Sequence, residues 1–233
     1  MEPLILYFVL FFPGIYTLGI SGETSLAGTI PFSAIGELGR TLTYTIPSLA
    51  LLWYIIMGRV TSDKMPEKLK WILFPGLKKL QKRDLFPFAA GLPGLIIIGL
   101  AVSQLVSIFS IYKNLVHEYF SPPLLVEAPG NAWGWIVMAF SCLGTGYLEE
   151  SYFRYYLLTR FENRLPNPVF RIFLSTAMFS LCHIYEGPWG ILNAVLAGVF
   201  LSMLFIRYGS VHGIAWAHGA YNIFVYVMEN FST

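Results

Sequence analysis

The sequence predicts an all-α, polytopic membrane helix bundle of about seven (six to eight) transmembrane helices. Three observations carry this. Only 12% of the 233 residues are charged and 56% are hydrophobic, whereas a soluble domain carries about 25% charged residues. Mean hydropathy is +0.62, and several apolar runs approach the roughly 20 residues that a spanning helix needs. Finally, glutamate, arginine, histidine and asparagine recur at helical spacings inside the C-terminal apolar runs, and ionisable groups in a bilayer mark functional paths or sites.

The spans follow in order. The first, 4–20, comes after Met-Glu-Pro; without the basic stretch of a signal peptide it is expected to remain uncleaved. Pro3 and Pro13 are tolerated in a membrane helix. The second span is 41–58. The third, 87–111, is opened by Pro87 and made flexible by Gly91, Pro93 and Gly94. The fourth is 132–161, the fifth 168–185, the sixth 188–206 and the seventh 210–228. Together they make one membrane domain over 1–233, with no internal repeat.

Charge orients the bundle. Residues 59–83 hold eight of the fifteen basic residues, which places that connection in the cytoplasm. Arg160, Arg164 and Arg171 fall between the fourth and fifth spans, and Arg207 ends the sixth. Seven alternating spans put all three connections on one side, so the N-terminus is expected to be cytoplasmic. Within 59–86, Trp71, Leu73 and Phe74 interleave with lysines, as in a basic interfacial segment resting on membrane lipids; plain positive-inside anchoring explains the same residues. The 112–130 connection, with Ser121, Pro122 and Pro123, is either a lid or a surface loop. Other classes lack support. A net charge of +2 gives no case for nucleic acid, and no glycine-rich nucleotide loop occurs. Cys142 and Cys182 form no paired motif and read as buried thiols.

Three motifs carry chemistry. In Glu149-Glu150-x-x-x-Arg154, Glu150 and Arg154 share a helix face and neutralise one another. Glu149 points about 100° away, free to face a cavity as a general base. In Phe179-x-x-x-His183 the ring walls a pocket and restricts the imidazole. In His218-x-x-x-Asn222 the two side chains present donors toward one point, as an oxyanion requires; an interhelical polar clamp is the alternative. Measured from the cytoplasmic ends of their helices, Glu149 lies about 18 Å, His183 about 21–23 Å and His218 about 12 Å along. Tilt brings these depths together. His212 and His117 are expected to be structural or solvated.

In order and interval, these motifs resemble the membrane-embedded CPBP (CAAX protease and bacteriocin-processing) family, which contains the type II CAAX prenyl endopeptidases. The resemblance covers about residues 130–228, the expected catalytic core. It implies peptide-bond hydrolysis inside the bilayer at a site reached from the cytoplasmic side. Glu149 and His183 would activate water, and His218 and Asn222 would stabilise the oxyanion. Glu150, Arg154 and Phe179 would support them. The family often carries an apolar residue or Trp where His212 stands, a local departure. Family members have been described both as metallo- and as glutamate-dependent enzymes. Glu149, His183 and His218 would be the ligands if Zn2+ is bound. The compact HExxH pairing is absent, so no metal or other cofactor is favoured. The expected substrate is a prenylated CAAX protein that loses its C-terminal tripeptide. Bacteriocin-like or other non-prenylated membrane peptides are the alternative, as is a non-enzymatic membrane scaffold or regulator. A transporter would use similar intramembrane charges, but those would not be concentrated in three spans.

Overall fold

The computed structural model describes residues 2–20, 31–60, 82–111, 127–162 and 165–230, and among them no strand occurs. Helix α1 is Glu2–Ile20. Helix α2 runs from Ala34–Arg40 through a π-helical turn, Thr41–Thr45, into Ile46–Val60. Helix α3 is Lys82–Ile111. Helix α4 runs from Ala132–Glu149 through a longer π-helical stretch, Glu150–Leu157, into Leu158–Arg160. Helices α5, α6 and α7 are Pro168–Leu181, Gly187–Tyr208 and Val211–Asn230. Local chemistry sets the ends. Asn131 and Asn167 cap α4 and α5 by accepting from the Gly134 and Val169 amides, and Gly209, at φ 63°, closes α6 in the left-handed region.

Among the described residues three segments are long and apolar enough to cross a membrane: Ala34–Gly58, Asp84–Phe109 and Ile184–Tyr208. Helices α4 and α7 interleave glycine, histidine and glutamate with their apolar residues. Three sequence expectations need correction. The second and third helices begin earlier than 41 and 87, because Ser33 caps α2 and because Asp84 is buried rather than left outside the apolar run. The fifth helix stops at Leu181 instead of 185. Cys182 and His183 turn there, a 3₁₀ turn follows over Ile184–Glu186, and Gly187 at φ 73° redirects the chain into α6. Gly91 and Gly94 lie within α3, which is helical throughout. They are seats into which Ala217 and Phe200 press. The basic stretch 61–81, and residues 112–126 with His117, lie outside the described residues.

Helix α4 is the axle of the bundle. All eight residues from Glu150 to Leu157 are buried, so this stretch has no lipid-facing side. Tyr152 and Phe153 pack on Phe11 of α1, Trp53 of α2 stacks on Tyr155 at 5.7 Å, and Phe205 of α6 meets the same tyrosine edge-on. Some buried polar groups find partners in this shell, whereas the Ser151 and Tyr155 hydroxyls have none among the described residues. The Tyr152 hydroxyl donates to the Pro3 carbonyl at 2.6 Å, Ser175 to the Phe153 carbonyl at 2.6 Å, and Tyr7 to the Met178 carbonyl at 3.1 Å. The motif-free first helix is therefore part of the wall that holds the polar helix in place.

Helices α4 and α7 touch backbone to backbone. A Cβ added at Gly146 would lie 2.8 Å from the Ala215 carbonyl oxygen and 3.0 Å from the Gly219 nitrogen, and one at Gly219 would lie 2.9 Å from the Leu143 Cα. Small residues at such crossings let membrane helices approach closely. Gly146 sits one turn before Glu150, and Gly219 follows His218, so this crossing sets the separation of the polar side chains. Gly146→Ala is expected to move the helices apart and lower any catalytic rate by about 10²-fold, the usual consequence of a 1 Å misplacement. Cleavage kinetics checked against an unchanged helical circular dichroism spectrum test this.

Candidate active site

Glu149 and Glu150 stand where α4 passes from α-helical to π-helical winding. Widened turns of this kind recur at functional sites. The expected pair is present, with Arg154 Nη1 3.2 Å from Glu150 Oε1 and both side chains 0% exposed. A second contact was not legible from spacing: His218 Nδ1 lies 2.8 Å from the same Glu150 Oε1. An ionised carboxylate only accepts, so the imidazole Nδ1–H donates in that bond. This turns Nε2 toward Glu149, whose Oε2 is 3.6 Å away. That gap is too long for a hydrogen bond. Among the described residues Glu149 Oε2 has no hydrogen-bond partner.

Phe179 is the hinge of the cluster. Its ring lies 4.2 Å from the Arg154 guanidinium carbon, 4.6 Å from the His183 ring and 6.0 Å, edge-on, from His218. Arg154 Nε and Nη2 are buried without a hydrogen-bond partner among the described residues. The cation–π contact compensates part of that loss. The ring–ring contact expected from the Phe179–His183 spacing is present even though His183 stands in the turn after the helix. That turn supplies something a helix would not: His183 Nδ1 lies 3.0 Å from the Phe179 carbonyl. The carbonyl accepts, so Nδ1–H donates there, and in the neutral ring Nε2 holds the lone pair.

Exposure sorts these residues. Glu150 and Arg154 are sealed, Glu149 is 14% exposed at its side chain, and His183 and Asn222 are half-buried. Asn222 lies one turn beyond His218 on α7. His212 plays a different part. Its Nδ1 is 2.8 Å from the Tyr147 hydroxyl and its ring stacks on Trp216, clamping α4 to α7 as the structural reading expected. Sequence reasoning passed over Tyr7, Tyr152 and Phe153, which brace the site. The signal for Tyr152 and Phe153 was the density of aromatic residues in 152–156.

Among the described residues no three His, Cys, Asp or Glu side chains stand as a metal ion would require. The set Glu149, His183 and His218 is thus not gathered as a ligand group, and no step below is routed through a metal. What the arrangement offers is a part-exposed carboxylate, an imidazole whose Nδ1 is committed to a backbone carbonyl, and a second imidazole oriented by a buried carboxylate. Those are the parts for activating a water and steadying an oxyanion.

Residues 131–224 match the family described as type II CAAX prenyl endopeptidase Rce1-like. All the clustered residues fall within that span. No curated protein and no solved structure matches the chain.

Proposed function

Starting from an Rce1-like domain of the CAAX protease family at residues 131–224, we infer that this membrane protein is an intramembrane endopeptidase. Its substrates are prenylated proteins, from which it removes a CAAX-type C-terminal tripeptide. The observation that carries the reading is the setting of His218, whose Nδ1 meets sealed Glu150 at 2.8 Å while its Nε2 faces part-exposed Glu149 at 3.6 Å. Glu149, with His183, takes a proton from water as the hydroxyl oxygen adds to the scissile carbonyl carbon. The negative charge that forms on the carbonyl oxygen is stabilised by His218 Nε2, once that nitrogen carries a proton, and by the Asn222 amide. When the C–N bond breaks, the proton held by Glu149 passes to the departing nitrogen. Glu150 fixes the His218 ring, and Arg154 and Phe179 neutralise and wall Glu150. The course proposed is metal-independent, and the topology proposed is seven spans, a cytoplasmic N-terminus and a site entered from the cytoplasmic side.

Purified protein in liposomes would be given a farnesylated CAAX peptide and its unprenylated twin. Prenyl-dependent release of the tripeptide, lost in Glu149→Ala and His183→Ala and insensitive to chelator, is the expected result. Equal cleavage of both peptides would overturn the prenyl requirement. Loss of activity with chelator, restored by zinc, would overturn the metal-independent course. No cleavage by wild type would overturn the peptidase assignment for these substrates.

A further inference from the structure

The carbonyls that end α5 are satisfied with help from a helix that carries none of the three motifs. The last four carbonyls of a helix have no partner within it, and inside a membrane other protein groups must supply one. In α5 they belong to Met178, Phe179, Ser180 and Leu181. A continuing α-helix would give the Cys182 amide to the Met178 carbonyl and the His183 amide to the Phe179 carbonyl. Both bonds are instead shifted by one residue. The Cys182 amide donates to the Phe179 carbonyl and the His183 amide to the Ser180 carbonyl, each at 3.1 Å. The Met178 carbonyl is thereby passed over, and the Tyr7 hydroxyl of α1 donates to it at 3.1 Å. The Cys182 thiol donates to that hydroxyl at 3.4 Å and lies 3.6 Å from the Met178 carbonyl.

The orientation of His183 depends on this shift. With its own amide on Ser180, His183 places Nδ1 3.0 Å from the Phe179 carbonyl. In the α-helical register the His183 amide would take that carbonyl, and the imidazole would lose its partner. The Tyr7 ring is only 6% exposed and is held among Phe11, Tyr152 and Phe153, so its hydroxyl arrives from a fixed direction. Phe153 also meets Phe179 edge-on at 5.2 Å. One aromatic group thus fixes both Tyr7 and the residue whose carbonyl orients His183. Tyr7 lies outside the 131–224 family match.

We propose that Tyr7 is a positioning residue for His183. By capping the Met178 carbonyl, its hydroxyl holds the end of α5 in the tightened register, and that register keeps the neutral His183 ring in its Nδ1–H form. The consequence for catalysis rests on the endopeptidase reading, in which His183 helps to activate water. The positioning itself is testable without cleavage. Losing the hydroxyl lets the Cys182 and His183 amides fall back by one residue, and Nδ1 is then displaced from the Phe179 carbonyl.

The experiment is nitrogen NMR of the full chain, isotope-labelled at histidine, in lipid nanodiscs at a pH where the imidazoles are neutral. The His183 signal is identified by its loss in His183→Gln. Wild type is expected to show the Nδ1–H form, and Tyr7→Phe, which keeps the ring, a mixture with the Nε2–H form. Tyr152→Phe is the control, because it removes a neighbouring hydroxyl that bonds the Pro3 carbonyl and not α5; it should leave the His183 signal in place. An Nε2–H form in wild type, an unchanged signal in Tyr7→Phe, or an equal change in Tyr152→Phe would each overturn the positioning. In liposomes with the farnesylated CAAX peptide, Tyr7→Phe should lower kcat by about tenfold, the scale of one hydrogen bond, with KM little changed. An unchanged kcat in a variant whose His183 form has shifted would overturn the catalytic consequence. If wild type cleaves nothing while Tyr7→Phe still shifts the His183 form, the positioning stands and the peptidase reading falls.

Discussion

Glu149→Gln is expected to lower kcat/KM by about 10³-fold, which corresponds to about 4 kcal/mol of lost transition-state stabilisation. The amide has the size of the carboxylate but no basicity, so the water keeps its proton. The substitution is a clean one because Glu149 Oε2 has no hydrogen-bond partner to lose among the described residues. The thermal midpoint should therefore stay close to that of wild type while turnover disappears. Residual activity within tenfold of wild type would remove Glu149 as the base and move the role to His183, whose Nε2 holds a free lone pair once Nδ1 is committed to the Phe179 carbonyl.

Arg154→Met has the opposite signature, failing in stability before chemistry. Arg154 and Glu150 are both fully buried and 3.2 Å apart. Removing one partner leaves an uncompensated charge in the interior, at a cost of about 3–5 kcal/mol. The variant also gives up the guanidinium over the Phe179 ring, which braces His183. A large fall in resistance to unfolding, measured in detergent by denaturant titration, is the expected result. Pairing it with Glu150→Gln should recover part of that stability, since a neutral pair tolerates burial better than a lone charge. Activity should not recover with it, because His218 Nδ1 would then face an amide instead of the carboxylate that fixes its ring. A single variant as stable as wild type would contradict the burial that defines this pair.

The local pairs were legible in the sequence because helical spacing alone determines them. Glu150 with Arg154, and Phe179 with His183, sit four residues apart and meet. The Glu150–His218 bond spans two helices, and its geometry comes from the crossing at Gly146 and Gly219. Those glycines are visible in the sequence, one turn before Glu150 and next to His218, but spacing does not say which helices cross there. The end of α5 was misjudged for a physical reason. Apolar periodicity continues through Cys182 and Ile184, whereas the chain turns after Leu181 and Gly187, at φ 73° and ψ −173°, redirects it into α6. Glu37 and Arg40 precede the expected start of the second span at 41, yet both lie in the helix that begins at Ala34. Their mutual neutralisation and the buried Ser141 hydroxyl let the helix start earlier.

The enclosed π-helical stretch of α4 has a consequence for how this protein changes over generations. On an ordinary membrane helix, substitutions are absorbed on the lipid-facing side, and permissive positions recur every three to four residues. Glu150 to Leu157 has no such side. Eight consecutive positions are constrained at once, four of them by aromatic rings that interlock with neighbouring helices. Variation must therefore enter elsewhere, at exposed positions such as Ile35, Tyr54 or Val169, while this short stretch drifts slowly. Lineages of the protein can then differ widely in their outer helices and still keep the same eight-residue column at the centre.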